Sequence, residues 1–217
     1  HALPILAVWA FALNPSFGKT ESDHPSNPVK LDSRKKEFLV SKGGKPFLRY
    51  LSKPSTESSN YPPHYSRSGY IHPLYSPSGK IVTGDYASDH PHQHGLFFAW
   101  TESIFRGKAT EFWNQAKKLG DIRFTRYLGE ERQKESCSFL FEQIFTTGKD
   151  SDESLLKETW RIDIPGKAMP YHQFDLVSTQ ACATKDPLLI QKYHYGGMAI
   201  RGNSQWMAKN KEEKPKG

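Results

Sequence analysis

Along most of this chain, apolar positions alternate with polar ones in short runs and seldom recur at helical spacing. Glu37-Phe38-Leu39-Val40 and Pro46-Phe47-Leu48-Arg49-Tyr50-Leu51 flank Lys42-Gly43-Gly44-Lys45, which predicts a hairpin turning on the glycines. Ser52 to Arg67 is too polar for a core and too rich in proline for a central strand, so it reads as a loop. From Gly69 to Thr83, a short extended piece ends in the turn Ser76-Pro77-Ser78-Gly79 before a second strand begins. Thr101 to Gly120 reads as irregular or briefly helical, with Phe112 and Trp113 as anchors. Strand-like segments follow at Ile122 to Leu128, Ser136 to Thr146, Ser154 to Ile164, Tyr171 to Thr184 and Leu188 to Tyr195, separated by turn residues such as Gly148 to Asp152 and Pro165 to Lys167. Regularly spaced short strands predict an all-β protein, an antiparallel sandwich or barrel.

One stretch departs from plain alternation. In His90-Pro91-His92-Gln93-His94-Gly95-Leu96-Phe97-Phe98-Ala99-Trp100, ionisable side chains run straight into an aromatic strand. Pro91 has no N–H for a ladder, so the strand is expected to begin at about His92. His92, His94, Leu96, Phe98 and Trp100 would then share one face. Alternate strand residues are roughly 6.5–7 Å apart, so two neighbouring imidazoles can tilt onto one divalent ion, whereas three on a straight strand cannot. The pair His92/His94 is therefore the candidate metal site, with His90 at its rim. The same imidazoles would equally serve a polar pocket without metal, or plain structure.

Composition narrows the choice. With 15 Pro, 16 Gly, 13 Phe, 10 Tyr and 5 Trp in 217 residues, the chain fits a turn-rich β protein better than a helical bundle, and is long enough to bury a real core. The net charge of +7 comes from scattered Lys and Arg interleaved with acids, as in Lys209 to Lys214. That pattern is a solvated surface and not a nucleic-acid stripe. Ala2 to Leu13 is apolar but too short to span a bilayer, and reads as the core of a secretory leader. The expected organisation is a leader over residues 1–18, a linker over 19–35, one β-rich domain over 36–208 and a charged tail over 209–217. Export to a secreted or periplasmic location would permit a Cys137–Cys182 disulfide without requiring one.

Further candidates for chemistry lie on either side of the histidines. His72 and Tyr75 stand on the segment before them, although packing alone accounts for Tyr75. Lys192-Tyr193-His194-Tyr195-Gly196-Gly197-Met198-Ala199-Ile200-Arg201-Gly202 sets His194, Tyr195 and Arg201 beside a double glycine that allows a bulge or close backbone approach. Arg201 suits a bidentate grip on a carboxylate or sugar hydroxyls, or a surface ion pair. Glu158 and Asp175 are the carboxylates most embedded in apolar strand sequence. Such groups either pair with a cation or do acid/base work.

Tyr70-Ile71-His72-Pro73-Leu74-Tyr75-Ser76-Pro77-Ser78-Gly79, Asp89 to Trp100 and Tyr193 to Gly202, in that order, resemble the PmoA-like family, bacterial proteins of unknown function labelled "methane oxygenase PmoA". The likeness runs from about Glu37 to Trp206. It implies a secreted β-rich protein related to galactose-mutarotase-like supersandwiches that handle carbohydrate. It does not imply membrane-bound methane oxidation, since no spanning segment follows the leader. Gln93 stands where another histidine is expected, which weakens a three-ligand metal site. Members continue for several strands beyond Gly202, so a C-terminally truncated, incomplete sandwich is expected.

Three functions follow. In a carbohydrate-active enzyme, a sugar stacks on Trp100 or Tyr195, Arg201 holds it, and His92 or His94 moves a proton while Glu158 or Asp175 orients the imidazole or acts as the complementary base. A glycan-binding module would use His72, Tyr75, His90, His194 and the aromatics for contact only. A metal-dependent oxidoreductase would need His92/His94 plus His72 or His194 around one divalent ion.

Overall fold

The computed structural model describes residues 28–33, 38–151 and 153–206, so the leader, most of the linker and the charged tail lie outside the described residues. Two larger antiparallel sheets face each other. The first contains β1 (Val29–Asp32), β2 (Phe38–Lys42), β3 (Lys45–Leu51), β4 (Tyr70–Leu74), β7 (Leu96–Ala99) and β15 (Gly197–Ile200), side by side in that order. The second runs β10 (Asp121–Gln133), β11 (Ser136–Thr146), β12 (Ser154–Pro165) and β13 (Asp175–Cys182). Two small sheets complete the described fold: the hairpin of β5 (Asp85–Ala87) and β6 (His90–His94), and the set of β8 (Ser103–Phe105), β9 (Lys108–Thr110) and β14 (Leu188–Ile190). The architecture is the all-β, sandwich-like one that alternation predicts.

The sheets meet through their inward residues. Val40, Phe47, Leu48, Tyr50 and Ile71 of the first sheet pack on Phe139, Phe141, Trp160, Ile162 and Ile164 of the second, all fully shielded from solvent. Tyr50 and Phe141 stack across the interface with ring centres 3.9 Å apart and planes 9° apart. Each large apolar side chain buried in this way contributes about 1.5–3 kcal/mol. The β2–β3 hairpin forms as expected, because Gly43 and Gly44 both adopt positive φ (59° and 77°), the geometry whose twist matches the flanking strands.

Four expectations change. Val29–Asp32, assigned to the linker, pairs with β2 and belongs to the sheet. Within Thr101 to Gly120 lies the β8–β9 hairpin, followed by a single 3-10 turn at Gln115–Lys117. The strand through the histidines starts at His90, and Pro91 is tolerated because β6 pairs on one side only, with β5. It is also not continuous: β6 leaves for its own hairpin and β7 enters the large sheet, with the break at Gly95. A Cβ there would lie 2.0 Å from the Ile71 carbonyl oxygen, so only glycine lets the two main chains touch. The break changes which side chains are inward, and the buried set is His94, Phe97 and Ala99 instead of one alternating face. Finally, Cys137 and Cys182 are both free. They sit opposite Ile164 and Leu156 of β12, eight positions or roughly 26 Å apart along the strand, far outside disulfide reach.

Candidate functional site

Where β5 meets β6, a buried histidine–aspartate pair anchors the histidine hairpin. His94 Nδ1 lies 2.8 Å from Asp85 Oδ1, and neither side chain is open to solvent. Asp85 Oδ2 also accepts from the Tyr70 hydroxyl at 2.8 Å and the Ser55 hydroxyl at 2.9 Å. On the far side of the ring, Gln115 Oε1 lies 3.0 Å from His94 Nε2. Both ring nitrogens thus have a side-chain partner within hydrogen-bond distance. Burial by itself would raise the Asp85 carboxyl, but the hydrogen bond and charge of His94, with His72 and Tyr70, outweigh it and hold the group below its ordinary value. Tyr70 and Tyr86 enclose the imidazole with ring centres at 5.0 and 4.7 Å. His94 is therefore enclosed and fully shielded from solvent.

Of the other two imidazoles on this hairpin, His90 is exposed and His92 is partly accessible. His92 is half-buried on β6, next to His90 with ring centres 5.6 Å apart. Its pKa is pushed from 6.5 down to about 4, first by burial and then by His90 and His94, with Arg201 adding to the shift and Glu111 opposing it. At neutral pH, His92 is thus an uncharged base. The shift also makes a stability prediction. Between about pH 6.5 and 4 the unfolded chain binds a proton that the folded one refuses, so stability falls as pH drops through that window. Full linkage would amount to about 3 kcal/mol, reduced to about 1–2 kcal/mol for a partly solvated ring. Urea denaturation across the window should show wild type losing that much more than His92→Gln, and parallel profiles would rule out a proton-refusing His92.

Several expected residues gather around this pair. His72 Nδ1 is 2.9 Å from Thr83 Oγ1, and its pKa is lowered by burial, with Asp85 opposing and Arg49 and His94 adding to the fall. Arg201 donates from Nη1 to Gln93 Oε1 and from Nη2 to Asp89 Oδ1, both at 2.8 Å, while His90 pairs with the other Asp89 oxygen at 2.9 Å. The guanidinium expected to grip a ligand thus ties β6 to the chain beyond β15. Exposed Tyr193, His194 and Tyr195 form a ring cluster beside Trp113, whose ring centre is 5.2 Å from that of Tyr195. Glu111 connects the two groups, since its charge acts on both His92 and Tyr195.

Other expected residues lie elsewhere. Tyr75 bridges to Ile81 and its N–H donates to the Phe47 carbonyl, a packing role. Trp100 donates its indole N–H to Gln180 at 2.9 Å and is partly covered by Phe98. Glu158 is fully buried in the second sheet, where Gln143, Ser178 and Gln180 donate to it. Asp175 is exposed at the start of β13, opposite Asp163 of β12. Neither carboxylate touches the histidines: Asp85 pairs with His94, and Glu111 acts on His92 through its charge. As for an ion on His92/His94, both nitrogens of His94 already have partners, and among the described residues no three His, Cys, Asp or Glu side chains are arranged to hold a metal.

The residues missed are Asp85, Glu111, Gln115 and Lys117. Glu111 is 4% exposed, accepts from the Asn114 N–H at 3.2 Å and pairs with Lys117 at 2.6 Å. Its position directly before the Phe112-Trp113 anchors was the one available sign, since an acid joined to two buried rings is drawn inward with them.

Fold and site together define an all-β, sandwich-like protein with an accessible histidine set beside a buried histidine–aspartate pair. The chain belongs to a family of unknown function, DUF6807, whose model matches residues 37–215. No curated protein and no solved structure matches it. Among the described residues, no helix is long and apolar enough to cross a membrane.

Proposed function

We propose that this protein is an exported carbohydrate-active enzyme in which His92 moves a proton on a sugar held against Tyr193 and Tyr195. The observation that carries the reading is the state of His92: an accessible imidazole, uncharged at neutral pH, on a hairpin whose other end is locked by Asp85–His94. Such a ring accepts a proton from a substrate hydroxyl or an acidic carbon and returns it in a second step. Glu111, fixed by Lys117, favours the imidazolium that forms in between. Exposed Tyr193 and Tyr195 offer faces on which a sugar ring packs. Arg201, through Gln93 and Asp89, holds β6 in register and takes no part in the chemistry. No metal is invoked, because an ion would have to displace the partners of His94. The likeness to PmoA-like proteins supports sugar handling and no methane chemistry, and export rests on the apolar run Ala2 to Leu13.

A glycan-binding module is the second reading, favoured by the exposure of Tyr193 and Tyr195 (37% and 44%), which suits stacking without catalysis. One experiment separates the two. Purified protein is incubated with a library of mono- and oligosaccharides, and anomerisation, epimerisation and chain cleavage are followed by NMR. Turnover by wild type that falls about 100-fold or more in His92→Ala, with an unchanged circular dichroism spectrum, supports the enzyme. Equal turnover in both proteins ends the His92 mechanism, and saturable binding without turnover supports the module.

A further inference from the structure

The four-stranded sheet has two edges, and they are built differently. At one edge, β10 breaks its pairing register between Phe124 and Arg126 and again between Tyr127 and Gly129, and it carries Arg123, Arg126, Glu130, Glu131 and Arg132. Bulges and charges of this kind keep other strands from adding to an edge. At the other edge, β13 has neither device. Its eight residues, Asp175-Leu176-Val177-Ser178-Thr179-Gln180-Ala181-Cys182, pair with β12 in unbroken register, include no proline or glycine, and carry one charge, at the first position. We propose that β13 pairs antiparallel with the β13 of a second copy of this chain, making one continuous eight-stranded sheet across a two-fold axis.

The hydrogen-bonding pattern sets what this edge offers. Leu156 stands opposite Cys182, so Ala183 follows opposite Leu155, and the Ala183 N–H donates to the Leu155 carbonyl. In an antiparallel ladder such bonded pairs recur at every second residue, so Val177, Thr179 and Ala181 turn their main chain toward β12. Leu176, Ser178, Gln180 and Cys182 turn theirs the other way, where no strand meets β13 among the described residues. Those N–H and C=O groups are a template for a further strand.

The side chains favour a second copy as that strand. A strand rich in charge would find no counter-ion between Leu176 and Cys182, whereas an identical strand is neutral over the same stretch. Residues directly opposite share a face, so even positions meet even ones and odd meet odd. With the axis at Ser178, Leu176 meets Gln180 of the second copy, and three bonded pairs supply about six main-chain hydrogen bonds. On the outer face, exposed Val177 meets exposed Thr179 of the second copy, and the axis repeats this β-branched contact. Asp175 meets Ala181, so the one charge of the strand never faces its own copy. Because β10 is guarded, this sheet has no second open edge, and the assembly closes at two.

The proposal does not draw on the histidine site. The full chain is followed by sedimentation equilibrium from about 1 μM to about 1 mM, the range in which small interfaces associate. A monomer–dimer equilibrium is expected. Amide hydrogen exchange should slow with rising protein concentration at Leu176, Ser178 and Gln180, but not at Val177 and Thr179, whose N–H groups already face β12. Val177→Lys/Thr179→Lys sets like charges opposite each other twice and should weaken the dimer at least about tenfold. Val177→Lys/Thr179→Glu sets opposite charges there and should restore it. Both positions are exposed, so both variants should keep the wild-type circular dichroism spectrum. If either unfolds, the exchange pattern of the wild type still decides. A single chain at every concentration overturns the proposal, and so does a dimer whose Leu176, Ser178 and Gln180 amides exchange as fast as in the monomer. Assemblies larger than two, or protection of those amides by a co-purified peptide on a single chain, overturn it as well.

Discussion

Replacing Asp85 by alanine is expected to destabilise the protein by about 3–5 kcal/mol at neutral pH, a large part of the stability of an ordinary domain. The size follows from what is left behind. His94 Nδ1 would lose its buried carboxylate partner, and the Tyr70 and Ser55 hydroxyls would lose their shared acceptor. Asp85→Asn retains an acceptor of the same shape but no charge, so it should fall between wild type and Asp85→Ala. The acid profile gives the mechanism a separate signature. Asp85 is held below its ordinary 3.8, so its contribution is complete above that value and is lost as pH falls through the lower, folded one. His92 acts in the adjoining window from 6.5 to about 4, so the two groups can be told apart in one titration. Urea unfolding of the three proteins at neutral pH, repeated at acid pH, measures both effects. A loss below about 1 kcal/mol for Asp85→Ala would show that the pair contributes no more than an exposed one.

How far the chain could be read depended on the range of the forces involved. The β2–β3 hairpin and strands β11 and β12 were legible because long alternating runs ended at glycine, proline and aspartate turns. β8 and β9 were not, since three residues carry no period and their turn depends on Arg106 and Gly107 both taking positive φ. In the candidate site, His92 was marked by the histidine run that precedes an aromatic strand, and Arg201 by its place between Ile200 and Gly202. Asp85 was not, because nothing in Thr83-Gly84-Asp85-Tyr86 alternates. Its importance is created by Ser55, Tyr70 and His94, which come from other parts of the chain. The change of face at Gly95 was hidden for the same reason: the main chain it must avoid belongs to Ile71, 24 positions earlier.

Glu158 shows the same limit from the opposite side, and it carries the last prediction. Sequence alone marks it as a carboxylate inside an apolar strand, which fits catalysis and structure equally well. Its surroundings are structural partners: Gln143, Ser178 and Gln180 donate to it, Gln180 accepts from Trp100, and fully buried Arg67 feels its charge. Arg67 donates to the Phe98 carbonyl at 2.6 Å and lies 5.2 Å over the Phe97 ring, so this network braces β7, the strand that continues from the histidines. Glu158→Ala is therefore expected to cost about 3–5 kcal/mol, because it strands three donors and a buried guanidinium. Arg67→Met should be costly too, but the double variant should lose less than the two singles together, by about 0.5–3 kcal/mol of coupling, since each change removes the reason the other hurts. A double-mutant cycle by urea denaturation measures that coupling. Sugar turnover per folded molecule should stay at the wild-type level in Glu158→Ala. If it fell as it does in His92→Ala, Glu158 would be part of the chemistry, and the proton partner of His92 would have to be sought across the second sheet instead of at Glu111.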